Sequence, residues 1–143
     1  MGRARRWWPS GFPGAARPAL TILSFGFKHS LPAEANLVFD VRHLTNPYFV
    51  PELKDLAGTD TRVRDFVLEQ PETGELLTRI DDLLRYLSPL YLREGKRYLT
   101  VAIGCTGGKH RSVVLAEALA QKVSAYAPAL GIVTTVRHRD VAL

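Results

Sequence analysis

The sequence predicts a small α/β layered domain with a mostly parallel four-stranded sheet and flanking helices. Three observations carry this. Short apolar, β-branched runs at Leu20–Phe27, Ala35–Val41, from Tyr98 onward, and at Ile132–Val136 are too brief for helices and read as buried strands. Between them lie segments whose apolar residues recur at helical spacing, so strands and helices alternate along the chain. A Gly-rich turn, Gly104-Cys105-Thr106-Gly107-Gly108-Lys109-His110-Arg111-Ser112, then joins the central strand to a helix, as in a strand–loop–helix unit.

Taken in order, residues 1–20 are rich in Arg, Gly and Pro without a period, and read as a basic, disordered arm ahead of a domain spanning 21–140. Trp7 and Trp8 give that arm the means to touch RNA or a membrane surface, but it lacks the apolar core of a secretory signal. Strand Leu20–Phe27 runs into the polar turn Lys28-His29-Ser30-Leu31-Pro32, and strand Ala35–Val41 ends at Asp40-Val41-Arg42-His43. Asn46-Pro47-Tyr48 and Pro51 mark an irregular connection. Asp60 or Thr61 caps a short helix running to Gln70, and Pro71-Glu72-Thr73-Gly74 breaks it. Glu75–Leu92 is the clearest helix, with Leu76, Leu77, Ile80, Leu83, Leu84, Leu87 and Tyr91 on one side. Its polar side, Arg79, Asp81, Asp82 and Arg85, reads as solvated, and Pro89 should kink the helix or end it early. A last helix from Val113 to Val123 is closed by Ala127-Pro128 and Gly131, and Arg137–Asp140 ends the ordered part.

Composition narrows the function. With 143 residues, 46% apolar and 23% charged, the chain is one domain with enough material for a core. The net charge of +5 is concentrated in the arm: residues 1–20 carry four Arg and no acid, so the other 123 hold 15 bases and 14 acids. A high isoelectric point is therefore no argument for nucleic acid. One cysteine excludes an internal disulfide framework and fits a reducing cytoplasm. No apolar stretch approaches the ~20 residues that span a bilayer. His29, His43 and His138 lack metal-ligand spacing, so neither a metal nor another cofactor is expected.

The chemistry concentrates in the Gly-rich turn. Backbone N–H groups at a helix N-terminus, with the helix dipole behind them, bind anions, and Lys109, His110 and Arg111 add donors and charge. Two functions fit. The spacing Cys105-x5-Arg111-Ser112 matches the loop of cysteine-dependent phosphatases, in which a thiolate attacks phosphorus, Arg111 clamps the oxygens and Asp40 would be the general acid. The same loop can hold a phosphate without cleaving it, Cys105 being a small neighbour. His110 also has a plainer reading as a helix cap, and Tyr48 and Tyr98 as packing residues. In open α/β sheets ligands gather at the carboxyl ends of strands, so Ser24–His29, Asp40–His43 and Cys105–Ser112 share one rim if their strands are neighbours.

These stretches resemble a known family, the C-terminal domain of the RNase adapter RapZ. The resemblance rests on SFGFKHSLP (Ser24–Pro32), FDVRHLTNPY (Phe39–Tyr48), LAGTD (Leu56–Asp60) and YLTVAIGCTGGKHRSV (Tyr98–Val113), and runs from about Ile22 to Arg139. It implies an α/β domain that senses glucosamine-6-phosphate and binds a small regulatory RNA, presenting it to an endoribonuclease. Residues carried over by motif are Ser24, Lys28, Asp40, Arg42, Cys105, Thr106, Gly107, Gly108, His110 and Arg111. Gly107, Gly108, His110 and Arg111 would hold the phosphate, and Asp40 and Arg42 the sugar hydroxyls or amine. Lys28, His29 and Lys109 would meet RNA, and homo-oligomerisation stays open. Three departures stand out. The GxxxxGK[ST] loop of full-length members has no counterpart here, so ATP binding is not implied. RNA-binding members carry a Lys/Arg run where this sequence reads RHRDVAL, and Ser30 stands where Gly is usual in the first motif.

Overall fold

A computed structural model describes residues 17–143; residues 1–16, most of the predicted arm, lie outside the described residues. In chain order the elements are β1 (Ala19–Gly26), β2 (Leu37–Asp40), α1 (Thr61–Leu68), α2 (Pro71–Arg93), β3 (Tyr98–Cys105), α3 (Arg111–Val123) and β4 (Val133–His138). Short 3-10 turns at Phe27–His29, Pro47–Phe49 and Pro128–Leu130 punctuate the connections. The four strands form one sheet in the order β2-β3-β1-β4, and every pairing is parallel. The predicted α/β class is what the chain adopts.

The register decides where the site forms. Gly26 pairs with Cys105, and Asp40 with Gly104, so β1, β2 and β3 all finish at the same level. The strand after which the Gly-rich turn follows lies between the other two, which brings all three polar strand ends to one rim. Below that rim, Leu20 and Ile22 of β1 and Val101 and Ile103 of β3 pack with Val114, Leu115 and Leu119 of α3 and Ile80 and Leu84 of α2 in one continuous core. Burying large aliphatic side chains contributes about 1.5–3 kcal/mol each, which anchors the sheet beneath the exposed loops.

Several expectations are corrected. The domain reaches into the supposed arm, because Ala19 and Leu20 already belong to β1 and Pro18 is buried. Pro71 starts α2 instead of breaking a helix: at the first helical position its missing N–H is no loss, and Gln70 is the N-cap. The break falls between Leu68 and Pro71, after α1, whose cap is Asp60 accepting the Arg62 N–H at 2.9 Å. Pro89 does not end α2, which continues to Arg93 because Leu84, Ser88 and Leu92 are buried on both sides of it. Asp81 is not solvated but buried, ion-paired with Arg85 at 3.2 Å, and the Arg85 guanidinium lies 4.2 Å over the Tyr126 ring. Arg137 and His138 lie within β4, and Asp140 is buried.

Ser30 adopts φ 87° and ψ 155°, a conformation natural to glycine and strained for any other residue. The turn is therefore held at a cost in backbone energy. Arg139 holds it in place, donating from Nη2 to the carbonyls of Ser30 (2.6 Å) and His29 (3.2 Å). Ser30→Gly should raise the unfolding free energy by about 1 kcal/mol, since relief of ~1–3 kcal/mol of strain exceeds the added unfolded-state entropy. Chemical denaturation measures this directly; an unchanged or lower midpoint would mean that the turn is relaxed.

Candidate functional site

The carboxyl end of the sheet opens into a cavity of about 740 Å³. Lys28 from the turn after β1, Arg42 from the end of β2, and Cys105, Thr106, Gly107, Lys109, His110 and Arg111 from the β3–α3 loop all line it. Eight residues predicted from three separated stretches thus meet in one place, because the parallel register aligns the strand ends.

The loop backbone is fixed by close packing with β1. A Cβ on Gly26 would lie 2.3 Å from the Gly107 carbonyl carbon, and one on Gly108 would lie 2.5 Å from the Gly26 nitrogen. Gly108 also has φ +79°, so the turn and the contact both select glycine. The Lys28 N–H donates to the Thr106 carbonyl at 3.1 Å, and the Gly26 N–H to Asp140 Oδ2 at 2.8 Å. Burial works against the charge on Asp140, but the Arg139 guanidinium and the Gly26 N–H outweigh it and hold its carboxyl below the usual range. From the other side, the Gly58 N–H donates to the Lys109 carbonyl at 2.8 Å, which explains the place of the LAGTD stretch beside the loop.

His110 is the N-cap position of α3, yet its side chain makes no capping bond. Its Nε2–H donates instead to the Leu56 carbonyl at 2.5 Å, tying loop to LAGTD stretch. Burial pushes the imidazole below its ordinary pKa of 6.5, and neighbouring Lys109 and Arg111 add to this while the Leu56 carbonyl opposes it. His110 is therefore neutral at pH 7. The unfolded chain takes up this proton first on acidification, so unfolding free energy should fall as pH drops below about 6.5 and level off at the lower folded value. His110→Gln should flatten that segment of the stability profile; an unchanged slope would remove His110 as its source.

Arg111 is only 5% exposed. Its Nη1 donates to the carbonyls of Arg42 (2.8 Å) and Leu44 (3.0 Å), while its buried Nε has no hydrogen-bond partner among the described residues. Burial pulls its pKa down from the ordinary value, partly offset by Cys105 and Asp40. Arg stays cationic under such shifts, so the cavity wall holds a buried positive charge with unused donor capacity. Cys105 is 2% exposed: its thiol donates to the Ser112 hydroxyl at 3.1 Å and its sulfur receives the Ser112 N–H at 3.4 Å.

Other predicted residues stand apart. Ser24 does not line the cavity; it is fully buried, with Oγ 2.7 Å from His138 Nδ1, and His138 Nε2 is 2.6 Å from Glu117. Gly108 packs beneath the loop and does not line the cavity either. Asp40 stands behind Arg42, paired at 2.6 Å, and hydrogen bonds from that side chain hold its carboxyl below the usual range against some burial. Arg42 in turn lies 4.0 Å over the Phe27 ring. His29 is outside the cavity lining, its carbonyl taken by Arg139. Among the described residues no group of three or more His, Cys, Asp or Glu is placed to hold a metal ion.

Sequence reading missed the part of the wall formed by Leu44, Thr45, Asn46, Tyr48 and Phe49. Tyr48 and Tyr98 are not packing residues, being 50% and 69% exposed. The signal was present in Asn46-Pro47: Asn46 Oδ1 accepts the Tyr48 N–H at 3.1 Å, and the resulting turn presents two consecutive aromatic rings to solvent.

The model of the RapZ C-terminal domain matches residues 18–142, nearly the whole described chain. The chain belongs to the RapZ C-terminal domain family. Among its relatives are proteins named nucleotide-binding protein from Geobacter metallireducens, 53% identical over 131 residues, covering 92% of this chain and 45% of that protein. One from Thermodesulfovibrio yellowstonii is 52% identical over 124 residues (87% and 42%), and one from Myxococcus xanthus 54% over 110 (77% and 38%). The chain spans less than half the length of the curated relatives it matches. As a RapZ C-terminal domain it therefore corresponds to one part of them. Among its described residues no helix is long and apolar enough to cross a membrane.

Proposed function

We propose that this domain is a regulatory binding module that senses a phosphosugar, glucosamine-6-phosphate, and acts within an RNase adapter, not as an enzyme. The single observation that carries the reading is the buried, partly unpaired Arg111 in the wall of a cavity formed by a Gly-rich loop at a helix N-terminus. A buried cation with spare donors is costly unless an anion completes it. The loop N–H groups, the N-terminus of α3, Lys28, Lys109 and Arg111 take the phosphate. Thr106 and the Arg42–Asp40 pair face the sugar, Arg42 from the cavity wall and Asp40 by holding its guanidinium. Ser24 and His110 act by fixing β1 and the loop. Membership of the RapZ C-terminal domain family supports the adapter role, with a small regulatory RNA meeting Lys28, His29 and Lys109 and passing to an endoribonuclease.

No observation favours the cysteine phosphatase. Cys105 is buried against Ser112, Arg111 spends Nη1 on main-chain carbonyls, and the candidate acid Asp40 is ion-paired. Calorimetry with glucosamine-6-phosphate, glucosamine and inorganic phosphate tests the reading. The sensor requires saturable binding of the first and much weaker binding of the other two. Equal binding of phosphate alone would reduce the site to a general anion cradle, and absence of heat with all three would remove the assignment. Turnover of p-nitrophenyl phosphate that is lost in Cys105→Ser would establish the phosphatase instead.

A further inference from the structure

The cavity is larger than a phosphosugar, and part of its wall is aromatic. A hexose phosphate has about 16 non-hydrogen atoms; even at the ~30 Å³ of a liquid water for each, it leaves about a third of the space empty. The aromatic part is the lip formed by Tyr48 and Phe49. Phe49 is 77% exposed, and its ring and that of Tyr48 lie edge-to-face with centroids 5.7 Å apart. One face of Tyr48 already carries a cation, Lys54 Nζ, 4.8 Å from the ring centre. Exposing a whole phenyl ring is unfavourable, and here it occurs in a cavity that Lys28, Arg42, Lys109 and the Gly-rich loop also line.

Aromatic faces alternating with cations beside a phosphate site match the needs of one ligand class: a planar ring joined through a sugar to a phosphate. We propose that the Tyr48–Phe49 lip is a stacking subsite for a nucleobase, so that the cavity takes a nucleoside 5′-monophosphate as well as a simple sugar phosphate. At about 23 non-hydrogen atoms, such a ligand also fits within the cavity. This rests on the phosphate-loop reading above, since the loop must hold the phosphate for the base to reach the lip. It does not rest on the name borne by the relatives, more than half of each of which lies outside the match.

The test is calorimetry of AMP, ribose 5-phosphate and glucosamine-6-phosphate against the full chain and against Phe49→Ala. The exposure of Phe49 makes that variant safe for folding, which thermal unfolding verifies. AMP should bind at least tenfold tighter than ribose 5-phosphate, and Phe49→Ala should erase that advantage while changing the other two ligands less than twofold. Equal affinity of AMP and ribose 5-phosphate, or an AMP affinity unaffected by Phe49→Ala, overturns the subsite; if glucosamine-6-phosphate still binds, the sensor reading survives alone. AMP binding without glucosamine-6-phosphate binding upholds the subsite and corrects the ligand class. Failure of all three overturns both.

Discussion

Gly26→Ala should unfold the site and cost at least about 3 kcal/mol of stability. The added carbon would lie 2.3 Å from the Gly107 carbonyl carbon, 2.5 Å from its oxygen and 2.8 Å from the Gly108 nitrogen. All three are backbone atoms, so no side chain can rotate away. The end of β1 and the β3–α3 loop would have to separate, and the Gly26 N–H would move from Asp140, leaving a buried carboxylate with one donor fewer. Because the loop geometry is what gathers N–H groups around an anion, ligand affinity should vanish along with the lost stability. Urea unfolding with an unchanged m-value reads the first, and calorimetry with glucosamine-6-phosphate the second. A wild-type midpoint would show that the strand end and loop are not in contact in solution.

Arg111→Ala should weaken phosphosugar binding by about 2–4 kcal/mol and destabilise the fold as well. The two effects have different origins. Binding suffers because the buried cation in the cavity wall is gone. Stability suffers because the carbonyls of Arg42 and Leu44 lose the donor that ties the end of β2 to α3, each unsatisfied group costing about 1–3 kcal/mol. Arg111→Lys separates them. Lysine restores charge, but its single ammonium cannot copy a planar fork that holds two carbonyls and still faces the ligand. Its affinity should fall between wild type and alanine, with stability only partly recovered. Wild-type affinity in Arg111→Ala would exclude Arg111 from the site, and wild-type stability would mean that the two carbonyls find other partners.

The domain class and many of the residues that line the cavity were legible in the sequence. Strands were legible because β-branched runs such as Leu99–Ile103 have no helical alternative at that length, and the loop because three glycines followed by Lys, His and Arg have no packing use. Less legible was everything set by contacts distant in sequence. Asp81 resembles any surface acid on α2, and only its place beside Arg85 and Tyr126 buries it. Pro71 and Pro89 look like breakers, yet one begins α2 and the other is carried within it by core packing on both sides.

What the sequence determined by itself was which chemical groups exist near strand ends: the loop Cys105–Ser112, Lys28, Asp40 and Arg42. Which of them share a space depends on strand pairing. The order β2-β3-β1-β4 and the parallel register bring Lys28, Arg42 and the loop together. The same register turns Ser24 toward His138, and the turn at Pro47–Phe49 leaves Phe49 exposed in the cavity wall. The reason is physical. Local preferences fix the backbone of each segment, but side-chain direction and burial follow from strand pairing, where each partner lies dozens of residues away in the chain.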